Sequence, residues 1–121
     1  MSLTYARQTG TSTVTNGAFL TAFSFNMDTS AASGTTFYEL TYKYTTASTG
    51  MLASQELRIR VDGVEVAKFP QKSPSNDFMR ISLTPAVHTI TFDHRLSTYT
   101  AGATGKISDI NMALDKIDVS I

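Results

Sequence analysis

Glu56-Leu57-Arg58-Ile59-Arg60-Val61-Asp62-Gly63-Val64-Glu65-Val66 is the stretch of the chain that says most about its fold. Leu57, Ile59 and Val61 alternate with Glu56, Arg58 and Arg60, a period of two that sets the aliphatics on one face of an extended strand and the charges on the other. Asp62-Gly63 breaks the run, and Val64-Glu65-Val66 resumes it. A two-residue Asp-Gly connection favours a type I′ turn, because both residues must take positive φ and glycine does so without steric cost. The pairing that follows places Val61 opposite Val64, Arg60 opposite Glu65 and Ile59 opposite Val66. The aliphatics then share one face and an Arg–Glu pair the other.

Working outward, the same period recurs. Tyr38, Leu40, Tyr42 and Tyr44 alternate with Glu39, Thr41 and Lys43, which a helix would scatter around its circumference. Ala18 to Met27 spaces Phe19, Phe23 and Phe25 with small residues. Met79-Ile81-Leu83 and Val87 to His94 give two further strands, and Leu3 to Arg7 and Ser12 to Thr15 two weaker ones. Residues 107–121 fit both a helical stripe and two strand runs. The unbroken alternation of Ile117, Val119 and Ile121, all β-branched, favours strand.

Eight to nine short strands separated by frequent turn signals predict an all-β fold, an antiparallel β-sandwich. At 121 residues the chain is expected to be one such domain, residues 1–121, with 1–15 as a candidate N-terminal arm. The segments Asp28 to Thr36, Thr46 to Gln55, Pro70 to Asp77 and Arg95 to Lys106 read as long loops. With consecutive strands antiparallel, the last three emerge at one end of the sandwich, and long loops on a rigid scaffold are where sites are usually carried.

Charge excludes several partners. Ten basic residues balance ten acidic ones, with no run of like charge, so neither a nucleic-acid footprint nor a polybasic membrane patch is expected. Nineteen Thr and thirteen Ser make up for a charged fraction of only 17%, so the surface must be covered largely by neutral hydroxyls. With no cysteine there is no thiolate nucleophile, disulfide framework or Cys-based metal site. The chain opens on Met1 without a basic segment and apolar run, so an export signal is not expected and synthesis in a host cytoplasm is. Its longest apolar-looking stretch, Ala18 to Phe25, is far short of the roughly 20 residues a spanning helix needs.

Candidate chemistry is sparse. His88 and His94 share a strand face but lie roughly 20 Å apart, too far to ligate one metal, and are expected to be half-solvated strand residues. Asp93 projects to the face opposite His94, so the two do not form a dyad. Asp109, Asp115 and Asp118 match no calcium loop and read as the solvent face of an edge strand. No nucleophile elbow, phosphate loop or zinc motif occurs, so neither an enzyme nor a cofactor or metal site is expected.

From Phe37 to Phe92 the chain resembles jelly-roll modules of phage virion proteins and carbohydrate-binding domains. The likeness rests on the aromatic strand Tyr38-Glu39-Leu40-Thr41-Tyr42-Lys43-Tyr44, the hairpin at Asp62-Gly63 and the strand His88-Thr89-Ile90-Thr91-Phe92. Leu114-Asp115-Lys116-Ile117-Asp118-Val119 looks like the closing strand of such modules. The resemblance implies a capsid decoration, or cement, protein on the virion surface, a homo-oligomer with a trimer favoured, binding coat subunits. The other function it implies is a carbohydrate-binding module of a tail adhesin, which the absence of Trp speaks against. Partner-binding residues under the first reading are Leu3, Tyr5 and Arg7 of the arm, and Met51, Leu52, Lys72, Asn76 and Tyr99 of the loop end.

Overall fold

The computed structural model describes residues 3–51, 53–71 and 75–116. It contains eight strands: β1 (Leu3–Val14), β2 (Leu20–Asp28), β3 (Thr36–Thr49), β4 (Ser54–Val61), β5 (Val64–Pro70), β6 (Ser75–Leu83), β7 (Val87–Thr98) and β8 (Thr104–Lys116). They form two four-stranded antiparallel sheets, the first in the order β1-β8-β3-β6 and the second in the order β2-β7-β4-β5. Pairing is nested: β1 with β8, β2 with β7, β3 with β6 and β4 with β5, as if one long hairpin had been rolled up. That topology is a jelly roll.

Alternation builds the core. From β3, Tyr38, Leu40, Tyr42 and Tyr44 turn inward. Leu57 and Ile59 of β4, Ile90 and Phe92 of β7, and Ile110, Met112 and Leu114 of β8 meet them from the other strands. Phe92 lies at the centre, with Tyr44 at 5.4 Å and Tyr42 and Phe69 at 6.3 Å between ring centroids. Removing so large a fully buried ring costs about 3–5 kcal/mol.

The Asp62-Gly63 turn forms as its chemistry dictates, with φ of 52° and 83°. Val61 faces Val64 and Arg60 faces Glu65, but a bulge between Ile59 and Arg60 then sets Ile59 opposite Ala67 rather than Val66. The extra residue on β5 leaves Val64 and Val66 65% and 40% exposed, so the expected aliphatic cluster is confined to β4. β1 is one strand where two weak ones were expected. Its described part is paired to β8 along its length, apart from a register shift between Gln8 and Thr11, and is an edge strand rather than a free arm.

Three loops are shorter than composition suggested. β3 runs on to Thr49 and β8 starts at Thr104 because the two Thr/Ser-rich segments pair with each other, Thr45 with Ser108 through Thr49 with Thr104. Threonine is β-branched and suits a pleated surface, so a hydroxyl-rich stretch is not thereby a loop. β8 lies between β1 and β3, so Asp109 and Asp115 are not on an edge, as expected, but on an internal strand. Asp109 sits at positive φ opposite the β3 irregularity between Lys43 and Thr45. Asp118 lies outside the described residues, as do Ile117, Val119 and Ile121.

Candidate functional site

The topology delivers the β1–β2, β3–β4, β5–β6 and β7–β8 connections to one end of the sandwich. There the loops are tied together. The Thr100 hydroxyl donates to the Met51 carbonyl at 3.2 Å, the Leu96 amide to the Asn16 carbonyl at 3.0 Å, and the Gln71 amide to the Gln55 carbonyl at 3.0 Å. Among the described residues, Met51 at 75% exposure and Tyr99 at 44% stand out from the loops of this end, with Leu20 at 46% where β2 begins.

Beneath the loops lies a buried polar seat. The Gln55 side-chain amide donates to the carbonyls of Ala47 (3.2 Å) and Lys106 (3.0 Å). Its oxygen is thereby left to accept from His94 Nδ1 at 2.8 Å. The other ring nitrogen, Nε2, accepts from the Ser12 hydroxyl, also at 2.8 Å. His94 is wholly buried, and burial pushes its pKa down to about 4 against the opposing pull of the Asp93 charge, so the neutral ring matches its partners. Gln71 joins the seat through its side-chain oxygen, which accepts from the Gln55 backbone N–H and the Ser48 hydroxyl. Gly105 leaves the room Gln55 occupies: a Cβ there would stand 2.6 Å from Gln55 Cγ.

On the outer face of the second sheet, Asp93 is 1% exposed and takes charge-assisted bonds from two arginines. Arg58 reaches Oδ2 through Nε and Nη2, both at 2.8 Å. Arg60 grips both oxygens, Nε on Oδ2 at 2.8 Å and Nη2 on Oδ1 at 3.3 Å, and the Thr21 hydroxyl adds a bond to Oδ1 at 3.0 Å. The guanidinium of Arg58 lies 4.0 Å from the centre of the Phe19 ring, and that of Arg95, which pairs with Glu56, lies 4.3 Å from it. Arg60 thus turns to Asp93 rather than to Glu65, its cross-strand neighbour.

At the far end of the sandwich, His88 joins the β4–β5 turn to the β6–β7 turn. Nδ1 donates to Asp62 Oδ2 at 2.6 Å and Nε2 to the Thr84 carbonyl at 2.8 Å. Burial pulls the His88 pKa down, but two acceptors outweigh it, and the net shift is upward; the bond from His88 lowers that of Asp62. Both histidines are buried, where half-solvated ones were expected. A strand that crosses the sandwich centre buries every inward residue, and here each imidazole nitrogen has a partner. Among the described residues no group of three His, Asp or Glu side chains is placed to hold a metal ion.

The structure divides the expected partner-binding residues. Leu3, Tyr5 and Arg7 occupy alternate positions of β1, opposite Asp115, Ala113 and Asn111, and Arg7 is exposed. Met51 and Tyr99 lie at the loop end, near where β1 finishes; Leu3 is about 35 Å of strand away from it. Asn76 is on β6, opposite Lys43. Leu52 and Lys72 lie outside the described residues. The seat of Ser12, Gln55 and His94 was not foreseen, and nothing in the sequence around Gln55 marks it. The Asp93 cluster had a signal, the one carboxylate of β7 opposite the alternating arginines of β4.

No protein family and no curated protein sequence matches the chain. Solved structures share its fold. VP2 of the infectious bursal disease virus subviral particle is 14% identical, with a TM-score of 0.55 over 95% of this chain and 33% of its own. The insecticidal delta-endotoxin Cry8Ea1 of Bacillus thuringiensis is 13% identical, with a TM-score of 0.51 over 88% of this chain and 19% of its own. The CBM36-1 domain of a xylanase from the hindgut metagenome of Trinervitermes trinervoides is 13% identical, with a TM-score of 0.47 over 99% of this chain and 100% of its own. This chain therefore spans about a third of the VP2 chain and a fifth of the endotoxin. At such identities the likeness is one of fold.

Proposed function

We propose that the protein is a structural component of a virion, a phage capsid decoration protein that docks on coat subunits through its β3–β4 and β7–β8 loops. The observation that carries this reading is the exposure of Met51 and Tyr99 on two loops that the Thr100–Met51 hydrogen bond ties together above a buried polar seat. A preorganised apolar tip loses little entropy on docking. The VP2 subviral particle supports the reading to the extent that its subunit contains the same fold. A neutral chain gains little from electrostatic steering, so affinity comes from packed area and from repeated contacts within a homo-oligomer, for which a trimer is the expected state.

Co-sedimentation of the protein with coat shells tests this. Binding is expected to change little between low and moderate salt, and to fall about tenfold in Met51→Glu and Tyr99→Ala proteins that keep their melting temperature. Undiminished binding of both variants would refute the docking end, and failure of the unaltered protein to sediment with shells would refute the function.

A further inference from the structure

The outer face of the second sheet is not used by the loop-end reading, and it is built in a way the fold does not require. Asp93 shares one negative charge between Arg58 and Arg60. Arg95 is matched by Glu56. Lys68 stands opposite Arg58 on β5, exposed and without an ion pair among the described residues, while Glu65 faces Arg60. Around Asp93 four cations thus meet three carboxylates; the fourth carboxylate of this face, Asp28, stands opposite Val87, roughly 20 Å along the strands from Asp93. Arg58 and Arg60 each engage Asp93 through Nε and Nη2, which leaves both Nη1 groups outside that contact. The Asp93 contacts hold both guanidinium planes in advance, and the Phe19 ring backs that of Arg58, the condition under which a second carboxylate is recognised in a defined geometry.

Beside the arginines runs a neutral hydrogen-bonding strip. Register and alternation put Thr21, Ser24 and Asn26 of β2 and Thr89 and Thr91 of β7 on the same face as Asp93, with the Thr89 hydroxyl donating to Asn26 Oδ1 at 3.0 Å. We propose that this face binds an acidic oligosaccharide, one uronate carboxylate seated on Arg58 and Arg60 and the flanking sugar hydroxyls on the Thr/Asn strip. The single surplus positive charge around Asp93 suits one carboxylate amid neutral hydroxyls. It does not suit a nucleic acid, which brings a phosphate with every nucleotide. Apart from Val87, 59% exposed at its end, the strip is polar, so an apolar protein surface finds little to bury there.

The test is a nuclear magnetic resonance titration that follows backbone amides and arginine Nε–H signals, with trigalacturonate, a neutral trisaccharide of equal length and inorganic phosphate as separate probes. Saturable shifts at Arg58, Arg60, Thr89 and Thr91 are expected with trigalacturonate. Affinity for the neutral sugar should be at least about tenfold weaker, and binding of the uronate should weaken as salt is raised. Arg60→Gln should weaken uronate binding about tenfold. Where that variant loses its fold, Lys68→Gln, at an exposed position, should weaken it about threefold. No saturable shift at these residues, equal affinity for the neutral sugar, or phosphate binding as tight as the uronate would overturn the proposal. Shell binding through Met51 and Tyr99 is unaffected by any of these results.

Discussion

One added methyl group at Gly105 probes how the loop end is seated. A Cβ there meets Gln55 Cγ at 2.6 Å and Cδ at 2.7 Å, closer than carbon atoms approach. Gln55 is fully buried, and its amide is bonded on three sides, to Ala47, Ser48 and Lys106, so it has no free direction in which to retreat. Overpacking of this kind costs about 1–3 kcal/mol. Displacing the Gln55 oxygen also strands the buried His94 Nδ1–H, which adds about 1–3 kcal/mol. Gly105→Ala should therefore cost about 3 kcal/mol, a fall of about 10 °C in melting temperature for a chain of this size. Thermal unfolding followed by circular dichroism reads it directly. Because both costs act through one side chain, adding Gln55→Ala to Gly105→Ala should lower stability by much less than Gln55→Ala does alone. A fall below about 2 °C, or full additivity of the two changes, would refute the seat as described.

Acidification should weaken the fold through His94. Its folded pKa of about 4 lies below the unfolded 6.5, so the unfolded chain binds the proton first, and about 3 kcal/mol is lost as pH falls from about 6.5 towards 4. Urea unfolding at pH 7 and pH 4.5 should show the loss, with a smaller one in His94→Gln. His88 acts in the opposite sense: its raised pKa supplies stability that is complete below about 6.5 and disappears as pH rises through the folded value, so His88→Gln should flatten the alkaline side of the same profile. Asp93→Ala leaves two partly buried guanidiniums facing each other and should cost about 3 kcal/mol by chemical denaturation. One residue inserted between Asp62 and Gly63 should lower the melting temperature sharply, because it breaks both the turn and the His88–Asp62 bond across it.

The sheets were legible because alternation is a local signal. Tyr38 to Tyr44, Leu57 to Val61 and Ile90 to Phe92 each declare an inner face within a few residues, and Asp62-Gly63 declares its turn type. What the sequence hides is long-range. The bulge at Ile59 depends on how β5 meets β4, and no residue near it differs from an ordinary strand residue. The seat joins residues 12, 55, 71 and 94, whose side chains meet only once the hairpin has rolled up. Thr45 to Thr49 and Thr104 to Ser108 look like loops until each finds the other as a strand partner. The arm and the loop end were grouped by function alone, and the direction of β1 sets Leu3 and Tyr99 at opposite ends of the sandwich.

The central claim is that the loop end carrying Met51 and Tyr99 seats this jelly roll on a shell of coat subunits. Electron cryomicroscopy of the particles that carry the protein tests it most directly. The account predicts an eight-stranded sandwich outside the shell, repeated by symmetry, with residues 50–51 and 99–103 against the coat. Copies absent from the shell, or copies attached with that end turned to solvent, would contradict it.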